Sequence, residues 1–192
     1  MVCSALSSSG RRTFCAAVLL SAPAALCQRV ALSTNAVGYA DYATLNMEAS
    51  VSVARQWTLT AGVKYNPFMF SAGEDRHDVS NRQRLFAAGA RFWPWHVYSG
   101  WWFAGKLQYQ EYNVGGITSL QTQEGDRYGL GATVGYTYML GEHFNLELGI
   151  GGWAGADIFT RYECPVCGLT IGSGRKAFIL PNDIILALSF VF

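Results

Sequence analysis

The chain has 192 residues, a formal net charge of +1 and only 14% charged residues, well below the roughly 25% of ordinary soluble domains. With 6 Trp, 10 Tyr, 11 Phe and 21 Gly, its surface is short of charge and rich in rings. No Lys/Arg cluster offers a nucleic-acid footprint, and the length predicts one domain.

The chain opens on a targeting pattern. Arg11 and Arg12 precede the run TFCAAVLLSAPAALC, and Ala25-Leu26-Cys27 supplies small residues at −3 and −1. Residues 1–27 therefore read as a secretory signal peptide cleaved before Gln28, and residues 28–192 as the functional domain. The run is too short and too proline-interrupted to span a membrane as a helix. Lipidation at Cys27 is the competing reading, opposed by bulky Leu26 where a small residue is preferred. Cys3, Cys15 and Cys27 leave with the signal, so the remaining thiols are Cys164 and Cys167.

From there on the apolar residues recur at every second position. Leu45, Met47, Ala49, Val51 and Val53 alternate with Asn46, Glu48, Ser50 and Ser52. Trp57, Leu59, Ala61, Val63 and Tyr65 alternate with Thr58, Thr60, Gly62 and Lys64, and the same pattern returns in YGLGATVGYTYML, FNLELGIG and the closing ILALSFVF. Period two with one apolar and one small or polar face is the signature of strands. Eight are predicted: 29–38, 44–54, 57–66, 83–93, 101–112, 127–140, 144–160 and 177–192. The connections at 55–56, 93–99 and 141–142 are short, whereas 67–82, 113–126 and 161–176 are long and all fall on one side. Tyr39 to Ala43 falls there too. Short turns on one side and long loops on the other predict an all-β, eight-stranded antiparallel up-and-down transmembrane β-barrel after a cleaved signal peptide, in the bacterial outer membrane.

A soluble lipocalin-type barrel would also alternate, with its apolar face inward. Two features oppose it. The polar faces are mostly Gly, Ser, Thr and Asn, which suit a crowded lumen. Rings also gather near strand ends, with Trp57, Phe92 and Phe144 at one rim and Tyr65, Tyr109 and Tyr128 at the other, as in interfacial girdles. An open sheet in lipid would leave backbone groups unpaired, so closure is required.

Strand parity turns Glu48, Lys64, Arg91, Lys106, Glu147 and Asp157 inward, three acids against three bases. Unpaired charges in so narrow an interior would be costly, so a matched network filling the lumen is expected. A gated, narrow ion path is the alternative, although a selective pore shows a bias of one sign. CPVC lies in a predicted outer loop. A zinc site there lacks further ligands beyond His77, and the βαβ context of a thioredoxin-like motif is missing. An oxidising compartment favours a Cys164–Cys167 disulfide that stiffens the loop tip. A lipid-modifying enzyme would need Ser and His near the rim, and only His77, flanked by Ser71 and Ser80, is on that side. No catalytic residue and no cofactor are expected. Arg84 points outward at the loop-side rim, where its guanidinium fork suits lipopolysaccharide phosphate. Gly115-Gly116 permits a tight turn.

The stretch NAVGYADYATLNMEASVSVARQWTLTAGVKYNPF, then QEYNVGGI, the Cys164 and Cys167 pair and the closing strand together resemble a family of small bacterial outer-membrane barrels. That family is known only as a domain of unknown function and is often encoded near fimbria-type gene clusters. The resemblance implies a surface role and a fimbrial or other surface partner. The aromatic end, Phe190 and Phe192, resembles the signal by which the barrel assembly machinery recognises outer-membrane proteins.

Overall fold

The computed structural model describes residues 30–70, 79–115, 121–163 and 169–192. The signal-peptide reading, and with it the boundary at residue 27, lies outside the described residues. So do Cys164 and Cys167, His77 and Ser71.

The alternating segments form strands that pair only with their neighbours. In chain order they are β1 (Val30–Asn35), α1 (Ala36–Ala40), β2 (Leu45–Ala54), β3 (Trp57–Asn66), a short β4 (Met69–Phe70), β5 (Val79–Phe92), β6 (Gly100–Gly115), β7 (Thr122–Met139), β8 (Phe144–Tyr162) and β9 (Thr170–Val191). Every pairing is antiparallel. β3 pairs directly with β5, and β1 pairs with β9 from Ala31 opposite Val191 to Asn35 opposite Ala187. The wall is therefore a closed, eight-stranded, up-and-down barrel. β4 is an extension that pairs with β5 alone and adds no stave.

Strand length rises round the wall, from 6 residues in β1 to 16 in β6 and 22 in β9. Among the described residues, the segments expected as long loops are therefore mostly strand: 69–70 is β4, 79–82 belongs to β5, 113–115 to β6, 122–126 to β7, 161–162 to β8 and 170–176 to β9. The reason is physical. A backbone ladder needs no apolar face, so pairing continues past the point where side-chain alternation stops. At the other extreme, the first strand stops at Asn35 instead of reaching residue 38. Asn35 Oδ1 accepts from Val37 N at 3.1 Å and caps α1. The same side chain accepts from Leu186 N at 3.0 Å and donates to Ile184 O at 2.9 Å, adding one rung to the β1–β9 ladder after the chain has turned away. The connection back to β2 passes through Tyr42 and Ala43 with φ of 49° and 57°, left-handed values that bulky residues seldom take. Asn66 Nδ2 holds this bend by donating to Tyr42 O at 2.9 Å.

Inside and outside follow from parity. Along β6, Trp101, Phe103, Leu107 and Tyr109 are exposed while Trp102, Ala104, Lys106 and Gln108 are buried. The outer face carries Leu59, Phe86, Leu107, Leu130, Ile150 and Leu186, all exposed. The inner wall of β7 and β8 is glycine-rich because rings and amides lie against it. A Cβ at Gly135 would stand 2.4 Å from Trp102 Cζ2, and one at Gly131 2.5 Å from Gln108 Nε2.

Candidate functional site

The lumen is built in layers from the turn end upward. The β5–β6 connection, read from the sequence as a plain turn, folds into the barrel and closes its floor. Trp93, Tyr98 and Trp102 are buried there, with Trp93 against Tyr98 at 5.8 Å and against Trp102 at 6.3 Å between ring centroids. Trp93 Nε1 donates to Thr58 Oγ1 at 3.1 Å, and Asn145 Nδ2 to Tyr98 O at 3.1 Å. The indole N–H of Trp93 and the backbone of the turn are thus tied to opposite sides of the wall.

Directly above lies a chain of alternating charge. Arg91 places its guanidinium 4.3 Å over the Trp102 ring. Its Nη1 meets Glu147 Oε2 at 2.7 Å, and its Nη2 meets Glu48 Oε1. Lys106 Nζ lies 3.3 Å from Glu48 Oε2 and 3.8 Å from Asp183 Oδ2. Lys64 Nζ lies 3.7 Å from Asp183 Oδ1, and Thr133 Oγ1 donates to Asp183 Oδ2 at 2.9 Å. The sequence Glu147–Arg91–Glu48–Lys106–Asp183–Lys64 ties together β8, β5, β2, β6, β9 and β3. Five of the six residues predicted from parity stand in this chain.

The sixth, Asp157, belongs to a separate cluster nearer the loop end. It is wholly buried, accepts from Tyr112 Oη at 2.8 Å, and faces Arg127 Nε at 3.3 Å and Lys176 Nζ at 3.4 Å. The Arg127 guanidinium sits 3.8 Å over the Tyr112 ring.

Sequence reasoning missed Asp183, Arg127 and Lys176. Asp183 continues the inward face of Ile185 and Ala187 by one step, and Arg127 continues that of Gly129 and Gly131, so parity was sufficient for both. Lys176 stands in the segment expected as a loop, and a bulge separates its parity from that of the closing strand. Gly151 pairs with Asp183 but Trp153 pairs with Leu180, so β9 spends one residue more than β8 over this interval. Pro181 inside a strand is the available signal for such a bulge. Beyond it the inward parity of β9 switches from odd to even residue numbers.

The space left among the charges is small. A cavity of about 60 Å3, lined by Glu48, Lys64, Leu85, Arg91, Lys106 and Asp183 among others, has room for a few water molecules. Among the described residues no group of three or more His, Cys, Asp or Glu is placed to hold a metal ion. His96 and His143 stand exposed at the turn end, where His143 Nδ1 is 3.0 Å from Val191 O.

The remaining predicted residues lie on the wall. Arg84 is exposed on the outer face at the loop end, 5.6 Å over the Tyr65 ring. Phe190 and Phe192 stack edge to face at 4.8 Å, Phe190 also meets Phe144 at 5.0 Å, and Phe192 N donates to Val30 O at 2.8 Å. The aromatic end of the chain is thus part of the seam that closes the barrel. Comparison with curated proteins and with solved structures returns no match. Residues 13–192 match the family described as "Protein of unknown function (DUF3575)", a family to which this chain therefore belongs.

Proposed function

We propose that the protein is a non-enzymatic bacterial outer-membrane barrel that displays its long hairpins for surface contact, envelope integrity or a fimbrial partner. The observation that carries this reading is the contrast between the two faces of one closed wall: an apolar outer surface round an interior filled with ion pairs and rings. A soluble barrel binding an apolar ligand needs the reverse. The height of the outer band also suits lipid. Trp57 and Tyr65, Trp101 and Tyr109, and Tyr136 and Tyr128 are exposed outward rings separated by the same interval on three strands. At about 3.3 Å per residue that interval is roughly 26 Å long, or about 20 Å when the strand tilts by about 40°, near the apolar band of such barrels.

With the lumen filled, the hairpins of β3–β5, β6–β7 and β8–β9 are the parts offered to partners, since binding surfaces commonly sit on loops over a rigid scaffold. A Cys164–Cys167 disulfide would stiffen the tip of the β8–β9 hairpin, and the ring-bearing end at Phe190 and Phe192 would serve recognition by the assembly machinery. The test is a gel shift on envelope fractions, unheated and boiled, with and without reductant. A folded, faster- or slower-running band that survives reductant is expected. Protein confined to the soluble periplasm, with no shift, overturns the reading. Shortening the three hairpin tips should preserve the shift and abolish surface contact, and purified protein in planar bilayers should be electrically silent.

A further inference from the structure

At the loop end the outer face of the wall holds a groove of about 510 Å3. Two outward rows line it. In the lower row Tyr65, Arg84, Glu111, Asp126 and Ile158 are successive cross-strand neighbours. In the upper row Arg82 neighbours Asn113, and Asn113 neighbours Glu124. Two arginines on β5 thus face three carboxylates on β6 and β7.

These opposite charges do not close on one another. Arg84 and Glu111 are direct neighbours, yet none of the ion pairs among the described residues involves a residue of the groove. Glu111 and Asp126 stand directly opposite each other, an arrangement that is destabilising for like charges in a sheet. The Tyr109 hydroxyl lies 3.2 Å from Glu111 Oε1 and 3.0 Å from Asp126 Oδ1, and it has a single proton to share between them.

We propose that this groove seats the headgroup of a lipid that carries both a phosphate ester and a protonated amine, the chemistry of phosphoethanolamine. Guanidinium forks suit phosphate, so Arg82 and Arg84 take that end. The ammonium lies on Glu111 and Asp126 and offsets their repulsion. The basic and the nearest acidic strand are about 4.8 Å apart, a separation that a two-carbon link between phosphate and amine spans. A purely anionic headgroup would set its charge against three carboxylates, and a purely cationic one would leave both arginines uncompensated. What lies below the groove selects a lipid over a free phosphoethanolamine. Phe86, Leu107 and Leu130 continue the same outer face toward the turn end and are 53%, 65% and 67% exposed, a seat for acyl chains. The inference rests on the membrane reading proposed above.

The test uses the full-length mature protein refolded into vesicles of phosphatidylethanolamine and phosphatidylglycerol in equal amounts. Flotation is measured first, then retained lipid by native mass spectrometry. Preferential retention of phosphatidylethanolamine is expected. Arg82→Gln with Arg84→Gln should lower retention of that lipid by about tenfold or more, the scale of one or two charge-assisted hydrogen bonds. Glu111→Gln with Asp126→Asn should keep lipid bound and erase the preference. Flotation with equal retention of the two lipids, or with variants indistinguishable from the parent, overturns the headgroup assignment alone. Binding of soluble phosphoethanolamine without lipid retention overturns it as well. Failure to float overturns the membrane reading and this inference together.

Discussion

One strand contains both kinds of structure found in this molecule. From Asp183 to Val191, β9 alternates strictly, with Asp183, Ile185, Ala187, Ser189 and Val191 buried and Ile184, Leu186 and Leu188 exposed. From Thr170 to Ala177 the same strand is exposed at every residue. The lower part has β8 on one side and β1 on the other, and an interior that accepts its inward side chains. The upper part pairs with β8 and, among the described residues, with no other strand. Closure is therefore what gives a residue's parity its meaning. Below the level of Asn35 and Asn66 an inward position is a buried or half-buried one. Above it the hairpins are held mainly by their backbone ladders, although Tyr112, Thr122 and Asp157 are still buried there.

That contrast can be broken most severely in the closed half. Arg91→Met leaves buried Glu147 without its cation and half-buried Glu48 with Lys106 alone, and removing one partner of a buried pair costs about 3–5 kcal/mol. Urea unfolding of the refolded barrel in vesicles should show a loss of this size. Two isoleucines on the outer face of neighbouring strands sharpen the comparison. Ile150 and Ile179 are 66% and 84% exposed, yet Ile150 lies within the apolar band and Ile179 beyond the Asp183 bulge. In a bilayer Ile150→Arg should cost about 2–4 kcal/mol and Ile179→Arg about 0–1 kcal/mol; equal small losses would place both in water.

A smaller effect is expected from Gly135→Val, which drives a side chain into Trp102. Overpacking of this kind costs about 1–3 kcal/mol, read as a lowered unfolding midpoint. Gly105→Ala is the control, since a Cβ there meets nothing within 4 Å. A modest effect is also expected from Asp157→Asn, a loss of about 1 kcal/mol. Its hydrogen bond from Tyr112 is weakened, but Arg127 and Lys176 keep 21% and 42% of their side-chain surface in solvent and do not become stranded charges.

The closed half was legible in the sequence for the same reason that it is sensitive. Alternation is imposed by two different environments, so Glu48, Lys64, Arg91, Lys106 and Glu147 could be turned inward from parity alone, and Arg84 outward. The open half was not legible. A segment such as TIGSGRK in β9 pairs along its backbone while both faces meet solvent, and it therefore carries no period. Two particular features also lay beyond pattern reading. One is the inward fold of residues 93–99, which depends on Trp93, Tyr98 and Trp102 finding one another across a turn. The other is the Pro181 bulge, which separates the parity of Lys176 from that of the closing strand.

An outer-membrane barrel requires the outer face of the closed half to meet lipid. Single spin labels at Leu107, Ile150 and Leu186, and at Ile171 and Ile179, in vesicles and in a background lacking Cys164 and Cys167, address it directly. The first three should be accessible to oxygen and shielded from a nickel chelate, and the last two open to the chelate. Nickel access at all five positions would contradict lipid contact and put the apolar wall in water.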